Sequence, residues 1–92
     1  MAEQTLRVRI LSPQQLILDT QAFAVSSKNL KGAFDILPAH ANFITLIENS
    51  SIVVRIKGQK PLVFKFPLAI IFAASNQVNI YTYIQAQTEK KT

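Results

Sequence analysis

Five carboxylates and a single histidine carry most of this sequence's capacity for acid–base chemistry. A catalytic carboxylate pair needs two carboxyls held together in a cleft, with their pKa values driven apart. Glu3 and Glu89 lie in polar stretches near the two ends, and Glu48 lies in a turn-like cluster. Asp19 and Asp35 remain, and no motif brings them together. His40 stands alone. A catalytic zinc usually takes three protein ligands, and the chain has no cysteine to complete a set. As a general base His40 would need a nucleophile and an orienting partner. Two readings fit it better: a histidine hydrogen-bonded within its own corner, or a contact residue on a loop. Two isolated glycines, Gly32 and Gly58, build no phosphate-cradling loop. The expectation is no catalytic residue, no metal, no cofactor and no small-molecule ligand. What remains is binding through surfaces.

The elements that would present such surfaces are strands. Around His40, Gly32 permits a positive φ at the entry to Phe34, Asp35 and Ile36. Pro38 has no N–H and a fixed φ, so the chain leaves any ladder there. The stretch reads as strand, corner, strand. Before it, Leu6, Val8 and Ile10 alternate with Arg7 and Arg9, the period of a half-buried strand. Residues 16–18 form a short second strand. Phe23, Val25 and Ser27 alternate with Ala22, Ala24 and Ser26 as a third. After the corner, residues 42–47 are a strand, and Glu48-Asn49-Ser50-Ser51 reads as a turn. Ile52, Val54 and Ile56 follow. Gly58-Gln59 fits a type II′ hairpin with glycine first. Leu62, Phe64 and Phe66 return, and Pro67 interrupts. Residues 68–74 are apolar in both phases, which predicts burial on both sides, with a partner surface as the simple alternative to cover from the chain itself. Ser75-Asn76 turns the chain into Val78, Ile80 and Thr82.

No stretch keeps a helical period. The predicted class is all-β, a flattened sandwich of eight to ten mostly antiparallel strands, with under about 10% helix against the usual third. Residues 1–84 form the β-sandwich domain, and residues 85–92 are a polar tail expected to fray. The expected core includes Val8, Ile10, Phe23, Val25, Ile52, Val54, Phe64 and Ile80.

Composition narrows the function further. The hydrophobic fraction of 49% argues against disorder. The absence of cysteine removes disulfide and thiolate chemistry. No basic region followed by an apolar one marks a secretory signal at the start of the sequence. The longest apolar run, residues 68–74, falls far short of the roughly 20 residues a membrane helix needs. The net charge is +5, from dispersed basic residues rather than a block. It serves as a solubilising surface or attracts an acidic partner. Phe64, Lys65 and Phe66 could form a nucleic-acid stacking platform, but Phe64 and Phe66 share the Leu62 face, so core packing is the better reading. Nucleic acid is not an expected partner, although a basic nucleic-acid-binding β-barrel stays as a lesser alternative.

Gly32, Phe34, Ile36, Leu37, Pro38, His40, Ala41 and Thr45 resemble a string found in the epsilon subunit of F-type ATP synthases, called delta in mitochondria. That string is Gly-x-hydrophobic-Gly-(Ile/Val)-(Leu/Tyr)-Pro-x-His-Ala, followed by an apolar stretch with Thr. The similarity in spacing covers residues 6–83. The resemblance implies a flattened ten-stranded sandwich without an active site, seated in the central stalk. It implies the gamma subunit and the membrane c-ring as partners, with a role in coupling ion translocation to ATP synthesis. Membrane contact would come only through the complex, on the cytoplasmic side. Lys31, Gly32, Ala33, Phe34 and His40 match the family's c-ring end. Ala41, Phe43, Thr45, Leu68, Ile70 and Phe72 match regions facing gamma.

The sequence also departs from the family. Asp35 stands where a second glycine is usual, and Pro67-Leu68-Ala69 where Ser-Gly-Gly is usual. The family's helical hairpin would begin near Thr92, so autoinhibition and ATP binding by helices are not carried over. A free-standing adaptor built on the same sandwich is the alternative these departures keep open.

Overall fold

Period-two patterning produces strands throughout the chain, and their joining differs from the sequence reading in instructive ways. The computed structural model describes residues 4–39 and 42–83. Its strands are β1 (Leu6–Leu11), β2 (Leu16–Ala22), β3 (Ala24–Asn29), β4 (Gly32–Ile36), β5 (Phe43–Arg55), β6 (Leu62–Ala74) and β7 (Gln77–Thr82). There is no helix among the described residues. All seven strands belong to one sheet in the order β2-β1-β7-β6-β5-β3-β4. Only β1 and β7 run parallel; the other pairs are antiparallel.

Seven strands replace the predicted eight to ten because two expected breaks are not breaks. The cluster from Glu48 to Ser51 lies inside β5, and Pro67 lies inside β6. The two strands pair from Phe43↔Ala73 to Val54↔Leu62, with no rung between Asn49 and Pro67. Asn49 adopts φ +53, and Pro67 has no N–H to give the ladder. The pleat changes phase there on both strands at once. Ile47 faces inward on one side of the corner and Ile52 and Val54 on the other. On β6, Phe66 is inward before it, and Ala69, Ile71 and Ala73 after it. The sheet thus turns over on itself into two layers around one core.

One layer holds β2, β1 and β7 with the ends 69–74 of β6 and 43–48 of β5. The other holds β3 and β4 with residues 50–55 and 62–66. Val8, Ile10, Val25, Ile52, Val54 and Ile80 are fully buried in the core between them, as expected. Phe34 and Phe43 close the open side with ring centroids 5.1 Å apart. Beside them, the Asn29 side-chain amide donates to Thr45 Oγ1 at 2.9 Å.

Four local expectations fail. Phe23 is half exposed rather than buried. The chain bends there between β2 and β3, and Ala22 and Ala24 take the inward positions. Phe64 is only partly buried; it packs against the core and stacks on buried Phe66 at 6.2 Å. The hairpin after β5 is not type II′. Gln59 N–H donates to the Ile56 carbonyl, and Gly58, at the second central position, has φ +76. That is the type II arrangement. Residues 68–74 are not covered on both sides: Ala69, Ile71 and Ala73 are buried, while Leu68, Ile70 and Phe72 are exposed.

The Ser75-Asn76 turn has positive φ at both residues, which suits a type I′ hairpin between Ala74 and Gln77. Gly32, at φ +125, opens β4 as expected of it. Nothing lies within 4 Å of where a Cβ would sit, so a side chain meets only backbone strain. Gly32→Ala is expected to destabilise by about 1–2 kcal/mol, read as a shift of the urea midpoint at unchanged slope. The expected polar tail, residues 85–92, lies outside the described residues.

Candidate interaction surfaces

The outer face of the β2-β1-β7-β6-β5 layer is built by the residues alternate to its core positions. Two rows cross it. Ile44 on β5 opposes Phe72 on β6, which opposes Asn79 on β7, then Arg9 on β1 and Asp19 on β2. Leu46 opposes Ile70, then Tyr81, then Leu11. Ile44, Leu46, Leu68, Ile70, Phe72 and Tyr81 are each between 42% and 66% exposed. Scattered exposed hydrophobics are ordinary, but a contiguous set on one sheet face marks a binding surface.

The same face changes character across β1 and β2. Arg7 Nε and Nη2 donate to the two Asp19 carboxylate oxygens at 2.5 and 2.9 Å. Arg9 Nε lies 3.9 Å from the same carboxylate. The hydrogen bond from Arg7 holds the Asp19 carboxyl below its ordinary pKa. Partial desolvation opposes this, and the charges of Arg7 and Arg9 add to it. The folded pKa is therefore below the unfolded one. The stabilisation is fully present above the ordinary carboxylate pKa and is lost as pH falls through the folded value. In an NMR titration, Asp19 should titrate below an unstructured aspartate, and Arg7→Ala should move the midpoint back up.

The outer face of the other layer is mostly polar, with Val63 exposed on it. Ser26 Oγ donates to Asp35 Oδ1 at 2.6 Å, and Arg55 Nε donates to Ser26 Oγ at 3.2 Å. Asp35 is thus engaged on β4, on the opposite side of the sandwich from Asp19. The two candidate carboxylates are not brought together. No group of three or more potential metal ligands occurs among the described residues.

The β3–β4 turn, Leu30-Lys31, projects from the margin of this layer. The Asn29 carboxamide oxygen accepts from the Lys31 N–H at 2.8 Å, while its amide reaches Thr45. Asn29 therefore ties the turn to β5. The corner at Pro38-Ala39 is tied to the β6–β7 turn, with the Ala39 N–H donating to Asn76 Oδ1 at 2.7 Å.

The structure divides the residues singled out by sequence. Leu68, Ile70 and Phe72 lie together on the exposed apolar face. Phe43 and Thr45 point the other way, Phe43 against Phe34 and Thr45 to Asn29. Their neighbours Ile44 and Leu46 occupy the apolar face instead, with Tyr81 beside them. Residues 43–47 are apolar in both phases apart from Thr45, the same signature as residues 68–74. The two segments pair, and that signature marks the face. Lys31 and Ala33 are exposed, Gly32 is half-buried, and Phe34 faces inward. His40 and Ala41 lie outside the described residues. Phe64 and Phe66 face the core and form no exposed stacking platform.

Among curated proteins, no sequence matches this chain significantly. Solved structures share its fold. A chain in the Euglena gracilis mitochondrial ATP synthase, solved as an OSCP/F1/c-ring assembly, superposes with a TM-score of 0.79 at 15% identity. The match covers 87% of this chain and 51% of that one. A chain in the central stalk/c-ring of Tetrahymena thermophila mitochondrial ATP synthase gives a TM-score of 0.71 at 14% identity, covering 99% and 78%. This chain thus spans about half the length of the Euglena chain. A family model described as the beta-sandwich domain of the ATP synthase Delta/Epsilon chain matches residues 5–84. The chain belongs to the delta/epsilon β-sandwich domain family of ATP synthase.

Proposed function

We propose that this domain is a non-catalytic part of the rotor of an F-type ATP synthase. It binds the gamma subunit through the apolar face of β5, β6 and β7, and it meets the c-ring with one end. The observation that carries this reading is the set Ile44, Leu46, Leu68, Ile70, Phe72 and Tyr81, left exposed on one face of a well-packed sheet. Apolar area of this kind supplies about 25 cal/mol per Å² when covered, before association costs. Family membership supports gamma as the partner. The c-ring end is assigned to Lys31, Gly32, Ala33, Phe34 and the corner that includes His40. Its exposed charges set position rather than supply affinity, since such pairs are worth little in water. Phe43 and Thr45 act from behind the gamma face, as support for Ile44 and Leu46, and Ala41 is kept as a gamma contact from the resemblance alone. No helix among the described residues is long and apolar enough to cross a membrane. Membrane association comes through the complex.

The test is co-purification of the chain with the gamma subunit and c-ring of the same synthase, followed by calorimetry with gamma alone. Micromolar or tighter binding to gamma is the expected result. No binding at micromolar concentration would transfer the apolar face to a different partner and make a free-standing adaptor the better account.

A further inference from the structure

We infer that Asn76 is a positioning residue for the c-ring end: its side chain holds the Pro38-Ala39 corner against the β6–β7 hairpin, so that a push on the corner reaches the strands of the apolar face. This rests on the reading of the corner as part of the c-ring end.

The corner is not self-supporting. Ala39 has φ +67. Left-handed backbone is rare for a residue with a Cβ, and Asn and Asp adopt it with help from their own polar side chains. Alanine has no such group. A strained residue of this kind persists only where its surroundings fix it. The fixing contact comes from far along the chain. The Ala39 N–H donates to Asn76 Oδ1 at 2.7 Å, across 37 residues of sequence. Pro38 before it has no N–H, so the Ala39 amide is the first donor the corner offers.

Asn76 is well placed to be the fixed end of that bond. It has φ +62 in the tight turn closed by the Ala74↔Gln77 pair. Its carbonyl accepts from the Arg7 N–H at 2.9 Å. One residue therefore joins the β6–β7 hairpin, the start of β1 and the corner. The corner is also where the chain crosses between layers, from β4 in one to residues 43–48 of β5 in the other. The Asn76 bond clamps this crossover to the hairpin that carries exposed Phe72 and Tyr81. Without it, a load on the corner would be taken up by bending of the loop.

Two substitutions separate the bond from the turn. Asn76→Gly keeps a residue that favours left-handed backbone in a type I′ hairpin and removes only the acceptor. Asn76→Asp keeps an acceptor, and a charged one. In the full chain, Asn76→Gly should melt within about 5 °C of wild type. Its Ala39 amide should exchange with solvent about tenfold faster or more. In the assembled synthase, Asn76→Gly should stay in the purified complex, while ion pumping per ATP hydrolysed falls several-fold. Asn76→Asp should restore both the slow exchange and the pumping. Lys31→Cys cross-linking to the c-ring checks the end of the sandwich separately.

An Ala39 amide that exchanges as fast in the native chain as in Asn76→Gly would overturn the inference, because the bond would then hold nothing. So would full coupling in Asn76→Gly, or an Asn76→Asp variant that protects Ala39 and stays uncoupled. Loss of Asn76→Gly from the complex would make Asn76 an assembly residue, which also overturns it. If Lys31→Cys cross-links normally in any of these cases, the c-ring end stands and the role of Asn76 alone is lost. If it does not reach the ring in the otherwise native chain, that reading and the inference fall together.

Discussion

Phe72→Asp is expected to abolish measurable binding to the gamma subunit while leaving the domain folded. Phe72 stands in the middle of the apolar face, opposed by Ile44 on one side and Asn79 on the other. It is 42% exposed in the free domain, so the core does not depend on it. A carboxylate there is solvated when the domain is free and stranded when a partner covers it. Stranding an unpaired charge costs several kcal/mol on top of the lost aromatic contact. A loss of about 4 kcal/mol, roughly a thousandfold in affinity, would take micromolar binding out of range. Calorimetry measures the affinity, and a thermal melt close to wild type shows that the fold has survived. Normal gamma binding by folded Phe72→Asp would remove the apolar face from the interface.

The second large effect concerns stability and lies one residue away. Ile71 has no accessible surface, and it sits between Thr45 on β5 and Ile80 on β7, on the core side of β6. Ile71→Ala removes buried methyl groups and leaves a cavity, at about 3 kcal/mol. In a domain of this size that lowers the melting temperature by roughly 12–24 °C. Ile70→Ala, on the opposite face of the same strand, should change stability by less than about 1 kcal/mol and weaken gamma binding instead. Denaturant unfolding and gamma titration of the two variants separate the fold from the binding surface at adjacent residues. Equal stability loss in both would mean that Ile70 is not on a free face.

These neighbouring residues show how far the sequence could be read. Period two identifies strands and the interior positions Val8, Ile10, Val25, Ile52, Val54 and Ile80, because only a half-buried strand needs that alternation. The turn at Ser75-Asn76 is legible from its residue types. Residues 68–74 are not resolved by the same logic. A strand apolar in both phases fits a core covered twice by the chain itself, and it fits a core covered once with a partner waiting on the other side. Pairing decides between them, and pairing is a property of the whole chain. The same limit explains Phe43 and Thr45. A shift of one residue exchanges the faces of a strand, and only the β5–β6 register places Ile44 and Leu46 outward. Asn49 misleads for a different reason. Asn, Ser and Glu together form a turn signal, yet here the left-handed residue bends a strand that continues. Phe23 breaks its own alternation because the chain bends between β2 and β3.

The parallel pairing of β1 with β7 has a consequence for how the molecule assembles. Arg7 pairs with Gln77 and Leu11 with Tyr81, so the first described strand is bridged by the last. The β5–β6 and β6–β7 hairpins close short loops and can zip early. The place of β1 in the sheet does not exist until β7 is there, and joining them closes a loop of some seventy residues. On a ribosome, β1 and β2 must wait while nearly the whole domain is synthesised. Closure of that parallel pair should set the folding rate, on the slow time scale typical of non-local β topologies.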